Sequence, residues 1–435
     1  MIITNKIISL FFCFFFASGK VFPQSTPNIL LESKLYNIKY DLKRDWSLIS
    51  NFNDILSNGI LNSKNNLNKT KVGFLSNRDG YQIYFFKFLK FSNNFYFFLL
   101  PRLNSSKIIH NQELVIKTDN IRQSPPLELQ LSGFGYQNKW AKIEIANGIE
   151  DWGAGEQISL ALNHKSESYD YLTIASDYGN IRVKYIHGFL EQYELNNRYI
   201  NARGIEWTNK KNFLIGLSES IIYSGKNRSI DLAYLNPIGS HLEIELNERL
   251  NVVGGNNANA VWQIHSDFYF KNKLRFSGNY LFDEFVLDQN IEQGKEHGKA
   301  YSYRLSYLVK TKGEYILNVF LSKIHVGTPT FRHTLGMNNF ITGNRPLGWE
   351  YGSDCEEINY GINYFNQDNL WFNLSYGKIK IGEESILNRP FDTWVDHDKG
   401  PFPSGEIIKK NYLELTSLVK INQSYFLTFK SRCIY

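Results

Sequence analysis

One tryptophan in this chain sits where a ligand could meet both its ring and its backbone. In Gly148-Ile149-Glu150-Asp151-Trp152-Gly153-Ala154-Gly155-Glu156, the indole of Trp152 is flanked by two glycines. Glycine admits close backbone approach, and an indole face can stack on a pyranose. Trp152, Gly153, Gly155 and Glu156 are therefore candidate sugar contacts. The competing reading of the same residues is a tight loop with Trp152 packed inside the fold. Trp349, beside Gly348, and Trp394, beside Asp396-His397-Asp398, are further candidates. For both, interface anchoring or loop packing is the alternative.

Spacings that would support catalysis are missing. The nine His are scattered, and no His-Glu-x-x-His, Gly-x-Ser-x-Gly or Gly-Lys-Ser/Thr pattern occurs. Asp283-Glu284 and Asp396-His397-Asp398 could hold a cation, although such groups more often line a lumen or a solvated loop. The expectation is a non-enzymatic protein with no cofactor and no metal. The net charge of +6, from 48 basic and 42 acidic residues, selects no partner. No basic block interleaved with stacking aromatics occurs, so nucleic acid is not expected. Cys13, Cys355 and Cys433 make neither a disulfide framework nor a zinc site.

The elements that must position these residues are strands. From Leu127 onward, runs of about ten residues alternate apolar with polar and break at short polar turns. Successive strand side chains face opposite ways, so each hairpin has one apolar and one wet face. Turns are expected at Ser92-Asn93-Asn94, Gln137-Asn138-Lys139, Asp177 to Asn180, Asn209 to Asn212, Lys271-Asn272-Lys273 and Lys310 to Gly313. Tyr301, Tyr303, Leu305, Tyr307 and Val309 share one face of a strand. The stretch from Ile221 to Leu250 has room for one more hairpin. Longer connections are expected near 147–170, 188–200, 240–260, 283–300, 325–356 and 378–410. Aromatics reach 15%, with 27 Tyr and 32 Phe, as the aromatic girdles of a membrane barrel require. Mean hydropathy is −0.34, and past the N-terminus no apolar run approaches the ~20 residues of a spanning helix. The expected fold is all-β: a transmembrane antiparallel β-barrel of about 16–18 strands with a short N-terminal extension.

Three segments follow. Residues 1–19 read as a signal peptide, with Lys6, an apolar run from Ile7 to Phe16, and Ala17-Ser18-Gly19 at a cleavage site. Residues 20–75 read as a periplasmic extension or plug, with an amphipathic helix over Asp41 to Leu56. Residues 76–435 form the barrel. An exported, aromatic-rich, all-β chain points to a bacterial outer membrane, and the alternating strand ending at Tyr435 resembles the C-terminal signal of such barrels.

The Trp152 segment also resembles the Trp-Gly-x-Gly motif of the capsule-assembly Wzi family. Matches follow in order at Ser159-Leu160-Ala161-Leu162-Asn163, Ala202 to Trp207, Phe213 to Tyr223, Ala233-Tyr234-Leu235-Asn236-Pro237, Asn256 to Asn259 and Leu281 to Phe285. Ala154 stands where the family commonly has Pro, and the N-terminal segment matches poorly. The resemblance implies an 18-stranded outer-membrane barrel that binds or organises capsular polysaccharide or exopolysaccharide at the cell surface without catalysis. Its partners would be surface polysaccharide, outer-membrane lipid and the barrel-assembly machinery. The alternative is a porin-like diffusion channel, with Arg182, Lys184, Arg275 and Arg304 as lumen cations favouring anions.

Overall fold

The alternation predicted from the sequence becomes a wall with two chemically different faces. On the strand Gly298–Lys312, Tyr303, Leu305, Tyr307 and Val309 are exposed while Ser302, Arg304 and Ser306 are buried. Its neighbour Leu274–Glu284 repeats this, with Phe276 and Tyr280 outward and Arg275, Ser277 and Asn279 inward. An apolar outer face around a polar interior is the pattern of a barrel in lipid, where the ladder satisfies every backbone group.

The computed structural model describes residues 68–435, apart from several short turns and the stretches 105–126, 250–257, 285–296 and 387–399. The strands are β1 (Asn68–Asn77), β2 (Gly80–Lys90), β3 (Phe95–Asn104), β4 (Leu127–Gln137), β5 (Ala141–Gly148), β6 (Tyr169–Asp177), β7 (Ile181–Tyr193), β8 (Asn196–Thr208) and β9 (Phe213–Lys226). Two short helices follow, α1 (Leu232–Leu235) and α2 (His241–Leu246). The chain continues through β10 (Ala258–Phe270), β11 (Leu274–Glu284), β12 (Gly298–Lys312), β13 (Tyr315–Val326), β14 (Ile341–Thr342), β15 (Arg345–Pro346), β16 (Cys355–Asn366), β17 (Leu370–Ile381), β18 (Ile408–Lys420) and β19 (Phe426–Ile434). Among the described residues, all but β14 and β15, which pair with each other, belong to one 17-stranded sheet. Within it, sequence neighbours pair antiparallel throughout, as in Asn68↔Leu89, Ile181↔Trp207 and Tyr412↔Ile434. The fold is a transmembrane antiparallel β-barrel. No described helix is long and apolar enough to cross a membrane.

The connections sort by end. Links after β2, β4, β6, β8, β10, β12, β16 and β18 are short turns and share one end of the wall. At the other end lie the long connections after β3, β5, β9, β11, β13 and β17, together with the tight links after β1 and β7. Tyr435 also lies at the long-loop end, where its backbone exchanges two 3.0 Å hydrogen bonds with Asn411. Aromatic rings line the outer face towards both ends. Phe213 lies 5.3 Å from Trp207 and 4.8 Å from Phe268 near the short turns. Tyr280 and Phe282 lie 4.5 Å apart nearer the long loops.

Four expectations about organisation shift. The wall begins at Asn68, so residues 68–75 are strand rather than N-terminal extension. Lys69 and Lys71 interrupt the apolar rhythm there, although Val72 and Phe74 face outward. The expected connection at 188–200 is a hairpin with a two-residue link, 194–195, between β7 and β8. The expected hairpin between Ile221 and Leu250 is instead the end of β9 followed by α1 and α2. The link over 105–126, bounded by β3 and β4, is a long connection that the turn pattern did not single out. The signal peptide, the Asp41 to Leu56 helix and Trp394 lie outside the described residues.

Candidate functional site

Two long connections, residues 149–168 and 327–354, turn back into the barrel and join as one plug. The Trp152 motif lies in the first. Gly153 has φ +127° and Gly155 φ +85°, a region that favours glycine. Both are pressed against the inner wall. A Cβ on Gly153 would stand 2.6 Å from Asn279 Oδ1, and one on Gly155 2.7 Å from Ser277 Cβ. These glycines admit the close approach of the plug's own barrel.

Asn279 of β11 clamps this loop. Its Oδ1 accepts from Ala154 N–H at 2.7 Å and its Nδ2 donates to Ala154 O at 2.9 Å. Ser302 Oγ donates to Ile158 O at 2.6 Å. Ala154 must keep its N–H for the Asn279 bond, so a proline there would remove a donor that this chain uses.

Trp152 is fully buried. Its backbone bridges to Leu162, and its indole Nε1 donates to Glu150 Oε2 at 2.8 Å. Lys184 of β7 completes the group, 2.6 Å from Glu150 Oε2 and 5.8 Å from the Trp152 ring centroid. Of the two sequence readings, the packed one describes the observed placement: the indole caps a buried ion pair.

Trp349 belongs to the second connection and is also buried. Its backbone N–H donates to Leu160 O at 3.1 Å, and Asn163 N–H donates to Leu347 O at 2.7 Å. A Cβ on Gly348 would stand 1.9 Å from Leu160 O, so the two segments touch backbone to backbone. The structure thus brings Trp152, Gly153, Gly155, Glu156 and Trp349 into one body. Glu156, like Gly155, is half-buried, and its carbonyl accepts from Arg304 Nη1 at 3.3 Å.

Sequence reasoning missed the residues that hold the second segment. Arg198 of β8 donates to the carbonyls of Met337 at 2.7 Å, Asn339 at 2.6 Å and Ile341 at 3.1 Å, and pairs with Glu191. Asp283, weighed as a cation ligand, accepts from Phe331 N–H. Alternation marks both as inward, but nothing in the local sequence says which loop they grip. Among the described residues, no group of three or more His, Cys, Asp and Glu is placed to hold a metal ion. Cys355 and Cys433 are free thiols.

The lumen cations are engaged. Arg182 pairs with Asp177 at 3.1 Å, and Arg275 Nε with Asp267 Oδ1 at 2.9 Å. Arg304 lies 3.7 Å from the Phe320 ring centroid. Partly exposed charges gather on the plug. Lys165 Nζ lies 2.5 Å from Glu350 Oε1 and 5.6 Å from the Trp349 ring centroid, and His164 Nδ1 lies 3.1 Å from Asp151. Burial pushes the Glu350 carboxyl up, but the charges of Lys165 and Arg432 outweigh it and leave it below the ordinary range.

Wall and plug together define a class: a transmembrane β-barrel whose lumen is occupied by its own loops. No family model matches the chain, and no curated protein matches it. Among solved structures it is similar to Wzi of Escherichia coli, an outer-membrane protein involved in group 1 capsule assembly and a carbohydrate-binding β-barrel. The TM-score is 0.56 at 12% identity, covering 85% of this chain and 81% of that one. It also matches OccK10 of Pseudomonas aeruginosa (TM-score 0.38, 10% identity, 85% of this chain and 98% of that one). A bacterial polysaccharide outer-membrane secretin gives a TM-score of 0.37 at 9% identity, over 86% of this chain and all of that one. At such identities the likeness is one of fold: the chain has the transmembrane β-barrel fold that Wzi shows in the outer membrane.

Proposed function

We propose that this barrel binds carbohydrate at its plugged end and so organises capsular polysaccharide or exopolysaccharide, without catalysis. The observation that carries this reading is the plug: the lumen is occupied, and Arg182, Lys184, Arg275 and Arg304 all have partners. A diffusion channel needs these groups beside water, whereas a binder needs a rigid polar surface. The carbohydrate-binding character of Wzi, the structure of like fold, agrees with the second.

In this reading the Trp152 motif serves indirectly. Trp152, Gly153 and Gly155 fix the plug, while Asp151, Glu156, His164, Lys165 and Glu350 offer hydrogen bonds to sugar hydroxyls. Trp349 supports Lys165 from beneath. Removing the gene from a polysaccharide-producing strain tests the proposal. The expected outcome is polymer released into the medium with its synthesis intact. Unchanged retention at the surface would sink the idea.

A further inference from the structure

The outer wall is not apolar everywhere. On four adjacent strands the lipid-facing row Val183, Ile205, Leu217 and Ile264 runs across the sheet in register. One step further towards the long-loop end, the next outward row reads Tyr185, Arg203, Glu219 and Trp262. Asn201, His187 and Tyr223 lie beyond it on the same face. This face is outward, because the alternate residues Lys184 and Arg198 grip the plug inside.

A polar patch on a lipid-facing wall needs cover, and the β9–β10 connection supplies it. Arg203 Nη1 donates to Asn236 O at 3.1 Å, and its Nε lies 3.2 Å from Glu219. Asn201 Nδ2 and Tyr185 Oη both donate to Tyr234 O, at 2.8 and 2.9 Å. Glu219 Oε1 accepts from His241 N–H at 3.0 Å and from Trp262 Nε1 at 2.9 Å. Tyr234 stacks on Tyr223 with centroids 4.7 Å apart. The insert is thus docked on the outside of the barrel.

Its own outer surface is apolar. Ile238 is 88% exposed, Leu246 75%, Leu232 66% and Leu242 55%. Leu242 and Leu246, four residues apart, share one face of α2, while His241 and Ile244 face the barrel. Such a crest is costly in water. It lies immediately beside the row where the lipid-facing band ends.

We propose that the 227–249 insert is a membrane-interface anchor, which seals the polar patch beneath it and seats its apolar crest in the adjoining lipid leaflet. The occupant of this surface is lipid, because the crest continues the apolar band of the wall. Trp262 at its edge is a residue type favoured at the bilayer interface.

The full chain carrying Ile238→Cys, with Cys13 and Cys433 replaced by Ser, would be labelled with an environment-sensitive fluorophore and placed in phosphatidylcholine vesicles. The expected result is loss of most emission when the vesicles carry a shallow doxyl lipid, and little loss with aqueous iodide. Leu246→Cys should behave alike. Quenching by iodide but not by doxyl lipid would overturn the proposal. Resistance to both quenchers, together with a dimeric mass, would also overturn it and assign the crest to a second copy of the chain.

Discussion

Lys184 and Glu150 meet at 2.6 Å with almost no access to water, and Trp152 spends its indole N–H on the same carboxylate. Removing one member of such a pair leaves a buried charge alone, which costs roughly 3–5 kcal/mol. Lys184→Met should therefore loosen the plug by an amount of that order. Pairing it with Glu150→Gln should recover part of the loss. Urea unfolding of the refolded barrel, followed by tryptophan emission, measures both. Equal destabilisation by the single and double variants would show that the pair does not hold the plug. At this scale the sequence was partly legible. The glycines marked Trp152 as a special position, because positive φ and close approach leave that trace. Asn279 and Arg198 left none, since their role depends on loops more than a hundred residues away meeting them across the lumen.

The insert formed by α1 and α2 shows what happens when an element breaks the hairpin rhythm. Its docking depends on His241, whose Nδ1 lies 2.8 Å from Tyr234 Oη and whose Nε2 lies 3.4 Å from Glu245. Burial first, then the charges of Arg203 and His333, lower the imidazole from 6.5 to about 4. Undocked, the ring takes a proton near its ordinary value; docked, it stays neutral until about pH 4. Docking is therefore fully favoured above pH 6.5 and weakens as pH falls from there towards 4, by up to roughly 3 kcal/mol. Glu245, pushed up by burial, opposes part of this. Corrected for the intrinsic rate, protection against hydrogen exchange in residues 227–249 should fall on going from pH 6.5 to 4.5 while the β12–β13 ladder keeps its protection. A rate in the insert that follows only the intrinsic pH dependence of exchange would contradict this. The hairpins themselves were legible because a period of two and Asn-rich turns are local properties. The turns at 92–94, 137–139, 177–180, 209–212 and 271–273 all separate paired strands. The insert was not legible, because α1 and α2 span only 4 and 6 residues, too short to set a helical period. The β7–β8 hairpin was obscured by outward polar residues, His187, Asn201 and Arg203, that the insert covers.

For the whole molecule, the same alternation makes a porin and a plugged binder equally well, so strand pattern alone leaves function open. What separates them is whether the long connections stand clear of the lumen or fill it. Here residues 149–168 and 327–354 fill it, tied to the wall by Asn279, Ser302, Arg198 and Asp283 and to each other by Asn163 and Trp349. Current through single barrels in a planar bilayer reads this directly. The purified full-length barrel is expected to insert without any steady conductance step. A stable open current, with the anion preference that free lumen arginines would give, would contradict it.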